Sequence, residues 1–120
     1  MPSSTAKKRI LSGSEDGKGI KVAATATAGT AVHTAVAGQT AGTYDEVWLW
    51  AQNNHTANVI LTIEFGSADA EDNIIVTIPY KSGLVPIVPG LPLQNGVTVK
   101  AFAATADVIT IQGFVNTITD

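Results

Sequence analysis

The sequence reads as an all-β chain: an antiparallel β-sandwich or small jelly-roll-like body preceded by an extended N-terminal arm. Val, Ile and Thr supply 38 of the 120 residues, and these β-branched side chains lose χ1 freedom in a helix but fit a pleated surface. Apolar residues recur at period two over stretches of strand length, and no segment carries an apolar stripe at helical spacing. Polar or glycine-bearing clusters separate those stretches.

In chain order, residues 1–19 form a polar, basic arm that holds Lys7, Lys8, Arg9, Ile10, Leu11 and Lys18. Residues 20–42 continue as a ribbon of small residues that includes Lys21. Its alanines favour helix, but Thr25, Thr27, Thr30, Thr34, Gly29 and Gly38 oppose it, and Thr25-Ala26-Thr27-Ala28 alternates like an extended strand. The expected division is therefore 1–42 as arm and ribbon and 43–120 as β-sandwich body.

Within the body, Val47-Trp48-Leu49-Trp50-Ala51 places both tryptophans on one face and Val47, Leu49 and Ala51 on the other. Both faces want cover, as expected of a central strand whose Trp face meets a second layer or a subunit interface. Val59, Leu61, Ile63 and Phe65 alternate with Ile60, Thr62 and Glu64, and Ile74, Val76, Ile78 and Tyr80 repeat the pattern. Val97 to Ala103 and Val108 to Phe114 are the last two candidates. Gly66 to Asn73, Lys81-Ser82-Gly83 and Gln94-Asn95-Gly96 are the turns between them, because Asn-Gly tolerates positive φ and Asx side chains cap their own backbone. Pro86, Pro89 and Pro92 recur every third residue among Leu84, Val85, Leu91 and Leu93. Such a run is excluded from a central strand and suits a packed connection or an edge shaped to meet a partner.

Charge is divided along the chain. Residues 1–40 hold five cations against two acids, a net of +3, and residues 41–120 hold Lys81 and Lys100 against eight acids, a net of −6. An acidic body repels phosphates, so nucleic acid is not an expected partner. The absence of cysteine removes disulfides, thiolate nucleophiles and Cys-based metal sites. No apolar run reaches the ~18 residues of a membrane span, and Ile10-Leu11 is too short for a secretory core, so a soluble protein made in the cytoplasm is expected. A small body without staples leaves partner chains as the remaining source of stability.

Chemistry-bearing residues are sparse. Asp69, Glu71 and Asp72 could gather oxygen ligands for Ca²⁺ but lack EF-hand spacing, and a solvated hairpin tip is the simpler expectation. His33 and His55 lie in no metal-binding spacing, and no nucleophile elbow or phosphate-binding glycine loop is present. No catalytic, metal or cofactor-binding residue is expected.

The stretch from Tyr44 to Asn116 resembles small structural proteins of tailed-bacteriophage particles, above all capsid decoration (cement) proteins. The phrases that carry the resemblance are Val47-Trp48-Leu49-Trp50-Ala51-Gln52-Asn53, Ile60 to Gly66, Asn73 to Pro79, Gly83-Leu84-Val85-Pro86 and Ile109 to Asn116. It implies a β-sandwich, often trimeric, that adds to the outside of an assembled head, binds the major capsid protein and bridges neighbouring subunits without enzymatic activity. On that reading the chain is a virion component assembled in the host cytoplasm. Lys7, Lys8, Arg9, Ile10, Leu11, Lys18 and Lys21 are then expected to grip the capsid, and Trp48, Trp50, Pro86, Pro89 and Pro92 to form the subunit interface. The alternative is a receptor- or glycan-binding module of a head fibre or tail, stacking sugars on Trp48 and Trp50.

Overall fold

The computed structural model describes residues 5–119. Nine strands follow one another: β1 (Thr5–Ile10), β2 (Ile20–Lys21), β3 (Thr30–Thr34), β4 (Tyr44–Asn53), β5 (Val59–Phe65), β6 (Asn73–Ile78), β7 (Val85–Leu93), β8 (Thr98–Ala103) and β9 (Ile109–Thr119). A 3-10 turn at Ala70–Asp72 is the one helical piece among the described residues.

The pairing is nested. β5 pairs with β6, β4 with β7, β3 with β8 and β2 with β9, all antiparallel, so the chain folds back on itself as one long ribbon. Rolling that ribbon brings β9 against β4 and β8 against β5. Two sheets result, ordered β1-β9-β4-β7 with β2 also on β9, and β3-β8-β5-β6. Without β1 this is the eight-stranded jelly-roll arrangement.

Alternation decides which residues face inward. Along β4 the odd positions Asp45, Val47, Leu49, Ala51 and Asn53 are buried and the even positions are half-buried. Val59, Leu61 and Ile63 of β5, Val99, Ala101 and Ala103 of β8 and Ile109, Ile111 and Val115 of β9 complete the layer between the sheets. The two polar ends of the β4 row fasten loops. Asn53 donates through Nδ2 to the carbonyls of Ala57 (3.0 Å) and Ile78 (2.9 Å), and its Oδ1 accepts the His55 amide (2.8 Å). Asp45 closes the opposite end, as described below.

The expected separation of residues 1–42 from a sandwich of 43–120 is corrected in one respect. Leu11, Ile20, Val22 and Val32 lie in the same core as Leu49 and Leu61, and β2 and β3 are two of the eight jelly-roll strands. Nesting explains it, because β8 and β9 each need an outer partner and only the N-terminal ribbon can supply one. Lys7 to Ile10 belong to strand β1, in which Thr5 lies opposite Thr119 and Ile10 opposite Phe114. The proline run is strand β7 at the sheet edge, as its missing N–H groups require. β6 stops at Ile78, before Pro79 and a turn in which Lys81 (φ 53°) and Gly83 (φ 79°) adopt left-handed backbone. Asn95 (φ 62°) and Gly96 (φ 66°) make the Asn-Gly turn.

Candidate functional site: the aromatic and proline face

β7 repeats proline at period three, yet a strand repeats its faces at period two. The mismatch is absorbed by two bulges: Leu49 faces Val88 and Trp50 faces Pro86, leaving Ile87 extra, while Val47 faces Leu91 and Trp48 faces Pro89, leaving Gly90 extra. One added residue per repeat returns every proline to the same side. Pro86, Pro89 and Pro92 therefore stand opposite Trp50, Trp48 and Glu46, and all three are exposed. The five residues expected at an interface thus share the outer face of the larger sheet.

β9 adds a residue that the sequence reading did not single out. Phe114 pairs with Trp48, and on its other side with Ile10 of β1. The three ring centroids lie 6.5 Å (Trp48 to Trp50), 6.1 Å (Trp48 to Phe114) and 5.9 Å (Trp50 to Phe114) apart, with planes within 25° of one another. In a column the outer two rings would be twice as far apart as neighbours. Nearly equal sides make a triangular patch instead, in which each ring touches both others. Trp48 lies across Gly90, where an added Cβ would come within 2.7 Å of the indole. Glycine there meets two demands, a φ of +79° and room for the ring.

Polar groups border the rings. Trp48 donates its indole N–H to Glu46 Oε1 (2.8 Å), which also accepts from Asn116 Nδ2 (3.1 Å). These two hydrogen bonds, the indole's first, hold the Glu46 carboxyl below the usual carboxylate range against the opposing effect of desolvation. Lys8 Nζ sits 4.7 Å from the Phe114 centroid, a cation–π contact. Gln112 stands opposite Trp50, with Gln52 next along β4.

The residues expected to form a gripping arm are dispersed. Lys8 and Ile10 border the aromatic face, Leu11 is sealed in the core, Lys18 is exposed in a turn, and Lys21 on β2 pairs loosely with Asp107 at 3.9 Å. Arg9 instead lines a cavity of about 340 Å³ with Ser12, Ser14, His33, Asp45 and Thr117.

Ser12, His33 and Asp45 in that cavity superficially match a nucleophile, a base and an orienting acid. His33 Nε2 lies 2.8 Å from Asp45 Oδ2, but its Nδ1 accepts the backbone N–H of Ser12 (3.0 Å), and the Ser12 hydroxyl accepts from the Thr34 amide (2.7 Å). Both ring nitrogens are engaged, and neither bonds the hydroxyl, so the constellation does not have the geometry of a triad. Asp45 also accepts from the Val36 amide (3.1 Å) and Thr117 Oγ1 (2.7 Å), tying β3, β4, β9 and the Ser12 turn together. Asp69, Glu71 and Asp72 do converge, with ligand oxygens within 4.8 Å, at an exposed tip where Ser67 Oγ bonds Asp72 (2.5 Å).

No family model matches the chain, and neither a curated protein nor a solved structure is significantly similar to it.

Proposed function

We propose that this chain is a non-catalytic structural component of a tailed-phage particle, a decoration protein that attaches to the major capsid protein and bridges neighbouring subunits of the head. The observation that carries the reading is the convergence of Trp48, Trp50, Phe114, Pro86, Pro89 and Ile10 on the outer face of one sheet. Tryptophan is enriched at interface centres, and proline, with its fixed φ, makes a rigid rim that loses little entropy on docking. The basic residues act beside that face rather than as a separate tether, since Lys8 caps Phe114. Jelly rolls serve in viral shells and in lectins alike, so the fold favours neither, and the reading is supported by the face. Bridging works energetically: two capsid subunits separate only if the bridge also breaks, and a contact above roughly 1,000 Å² would hold.

Heads stripped of the protein, then recombined with wild type or Trp50→Ala and challenged by heat or low salt, test this. Wild type should restore robustness and Trp50→Ala should wash off. Equal retention removes the face from the attachment surface, and stripped heads as robust as complete ones end the stabilising role.

A second reading, glycan binding, is favoured by the near-parallel rings with Gln52 and Gln112 beside them, which suit the stacking of a sugar ring. Glycan binding that disappears in folded Trp50→Ala would support it over capsid attachment.

A further inference from the structure

The two sheets leave four strand edges, and three carry a device against pairing with another chain. β1 lines its edge with Lys7, Lys8 and Arg9. β7 has three prolines and two bulges. β3 is short and bulged, and the Ser12-Gly13 segment covers it: the Gly13 amide donates to the Val32 carbonyl (2.9 Å) and the Ser12 hydroxyl accepts from the Thr34 amide.

β6 has no such device. Asn73-Ile74-Ile75-Val76-Thr77-Ile78 contains no charge, proline or glycine, and five of its six residues are β-branched. Among the described residues no strand pairs with its outer side. Ile75 is 65% exposed, and Ile60, opposite Thr77 on β5, is 51% exposed on the same face. A bare, β-prone, uncharged edge beside exposed isoleucines is a surface made for another strand.

We infer that β6 pairs antiparallel with β6 of a second copy about a twofold axis at Ile75, joining two four-stranded sheets into one of eight strands. The sequence is self-complementary in that register: Ile75 meets Ile75, Ile74 meets the other copy's Val76, and Asn73 meets its Thr77. No charge faces a charge. Antiparallel pairing also places the acidic tips at Asp69–Asp72 at opposite ends, about 20 Å apart at the rise of a strand, whereas parallel pairing would set them side by side. A twofold that relates antiparallel strands of one sheet stands perpendicular to that sheet, so both aromatic faces turn the same way. One dimer then offers two attachment faces to a single surface; that consequence rests on the proposed function, and the pairing does not.

The test uses the full chain, which has no native cysteine. Solution mass should show a dimer, and Ile75→Lys and Ile75→Glu should each weaken it by about tenfold or more through like charges at the axis. Mixing the two variants should restore a heterodimer. Ile75→Cys should form an interchain disulfide on oxidation, while Ile60→Cys, three strand spacings across and four residues along from its counterpart, about 20 Å in all, should not. A monomer at all concentrations overturns the inference. So does an oligomer, trimers included, whose mass is indifferent to Ile75→Lys, or cross-linking at Ile60 instead of Ile75. Failure of Trp50→Ala to affect attachment leaves the pairing standing and touches only the proposed function.

Discussion

Ile10 and Leu11 are neighbours in sequence, apolar and of equal carbon count, yet one is 54% exposed and the other 1%. Truncating each to alanine separates an arm from a core segment. Leu11→Ala removes three carbons from among fully packed neighbours. At about 0.8 kcal/mol per buried methylene this is ~2.4 kcal/mol before the cavity contributes, and buried leucine truncations fall in the range of about 2–5 kcal/mol. For a chain of this size each kcal/mol moves the melting midpoint by roughly 4 °C, so Leu11→Ala should lower it by about 10 °C or more. Ile10→Ala should stay within ~0.5 kcal/mol of wild type, because its side chain already meets water. Paired thermal and urea melts followed by far-UV circular dichroism measure both. If the two variants melt together near wild type, the N-terminal segment is not part of the core and the nested pairing at its outer turn is wrong.

Asp45→Ala should cost about 3–5 kcal/mol, since it strands His33, the Val36 amide and Thr117 in a buried site; urea midpoints check it, and Thr117→Val should cost only ~1 kcal/mol. Gly113→Ala should be among the most damaging single-carbon additions, because a Cβ there runs into the Trp48 carbonyl of the neighbouring strand; loss of the folded signal at ambient temperature measures it. For Glu46 the sign follows from its lowered folded pKa: the ionised carboxylate contributes stability above the unfolded value of about 4.3, lost as pH falls through the folded one. Wild type should therefore lose its advantage over Glu46→Gln between neutral pH and about pH 3, with indole fluorescence reporting the change beside Trp48. A stability difference flat across that range would refute the assignment.

Much of the body was legible because its strands carry their own evidence. Val59 to Phe65 and Val47 to Ala51 carry apolar residues at every second position, and that period survives as burial along β4, whereas on β5 the outward Thr62 and Glu64 are buried as well. The N-terminal third was not legible in the same way. Ile10-Leu11, Ile20-Lys21-Val22 and Val32 are brief apolar patches among polar and small residues, too short for a period to mark them. Leu11, Ile20, Val22 and Val32 are buried because β8 and β9, some 70 to 90 positions away, supply the rest of the layer. The candidate face was half legible. Glu46, Trp48 and Trp50 share a side by counting, but Phe114 and Asn116 join them through a register that only the β4 to β9 pairing fixes. The prolines needed more still, since without the two bulges a period of three would scatter them over both faces.

The two outer faces of the sandwich are finished differently, and the difference follows from one carboxylate. Glu64 points outward from β5 yet is buried, because Thr27 Oγ1 (2.8 Å) and the Gly29 amide (2.7 Å) donate to its two oxygens and hold the 27–29 loop across that end of the smaller sheet. A buried carboxylate that keeps two good donors avoids the penalty of an unpaired charge. Among the described residues the larger sheet has no counterpart: its outward row on β4 runs Glu46, Trp48, Trp50 and Gln52, with the side chains of β9, β1 and β7 beside it. The chain thus lays the 22–29 connection over the smaller sheet and leaves the indoles of the larger sheet half-buried. Aromatic area of that kind, rimmed by rigid proline and flanked by one cation and one carboxylate, gains most by meeting a second surface, which is why the attachment reading places the partner there and not over Glu64.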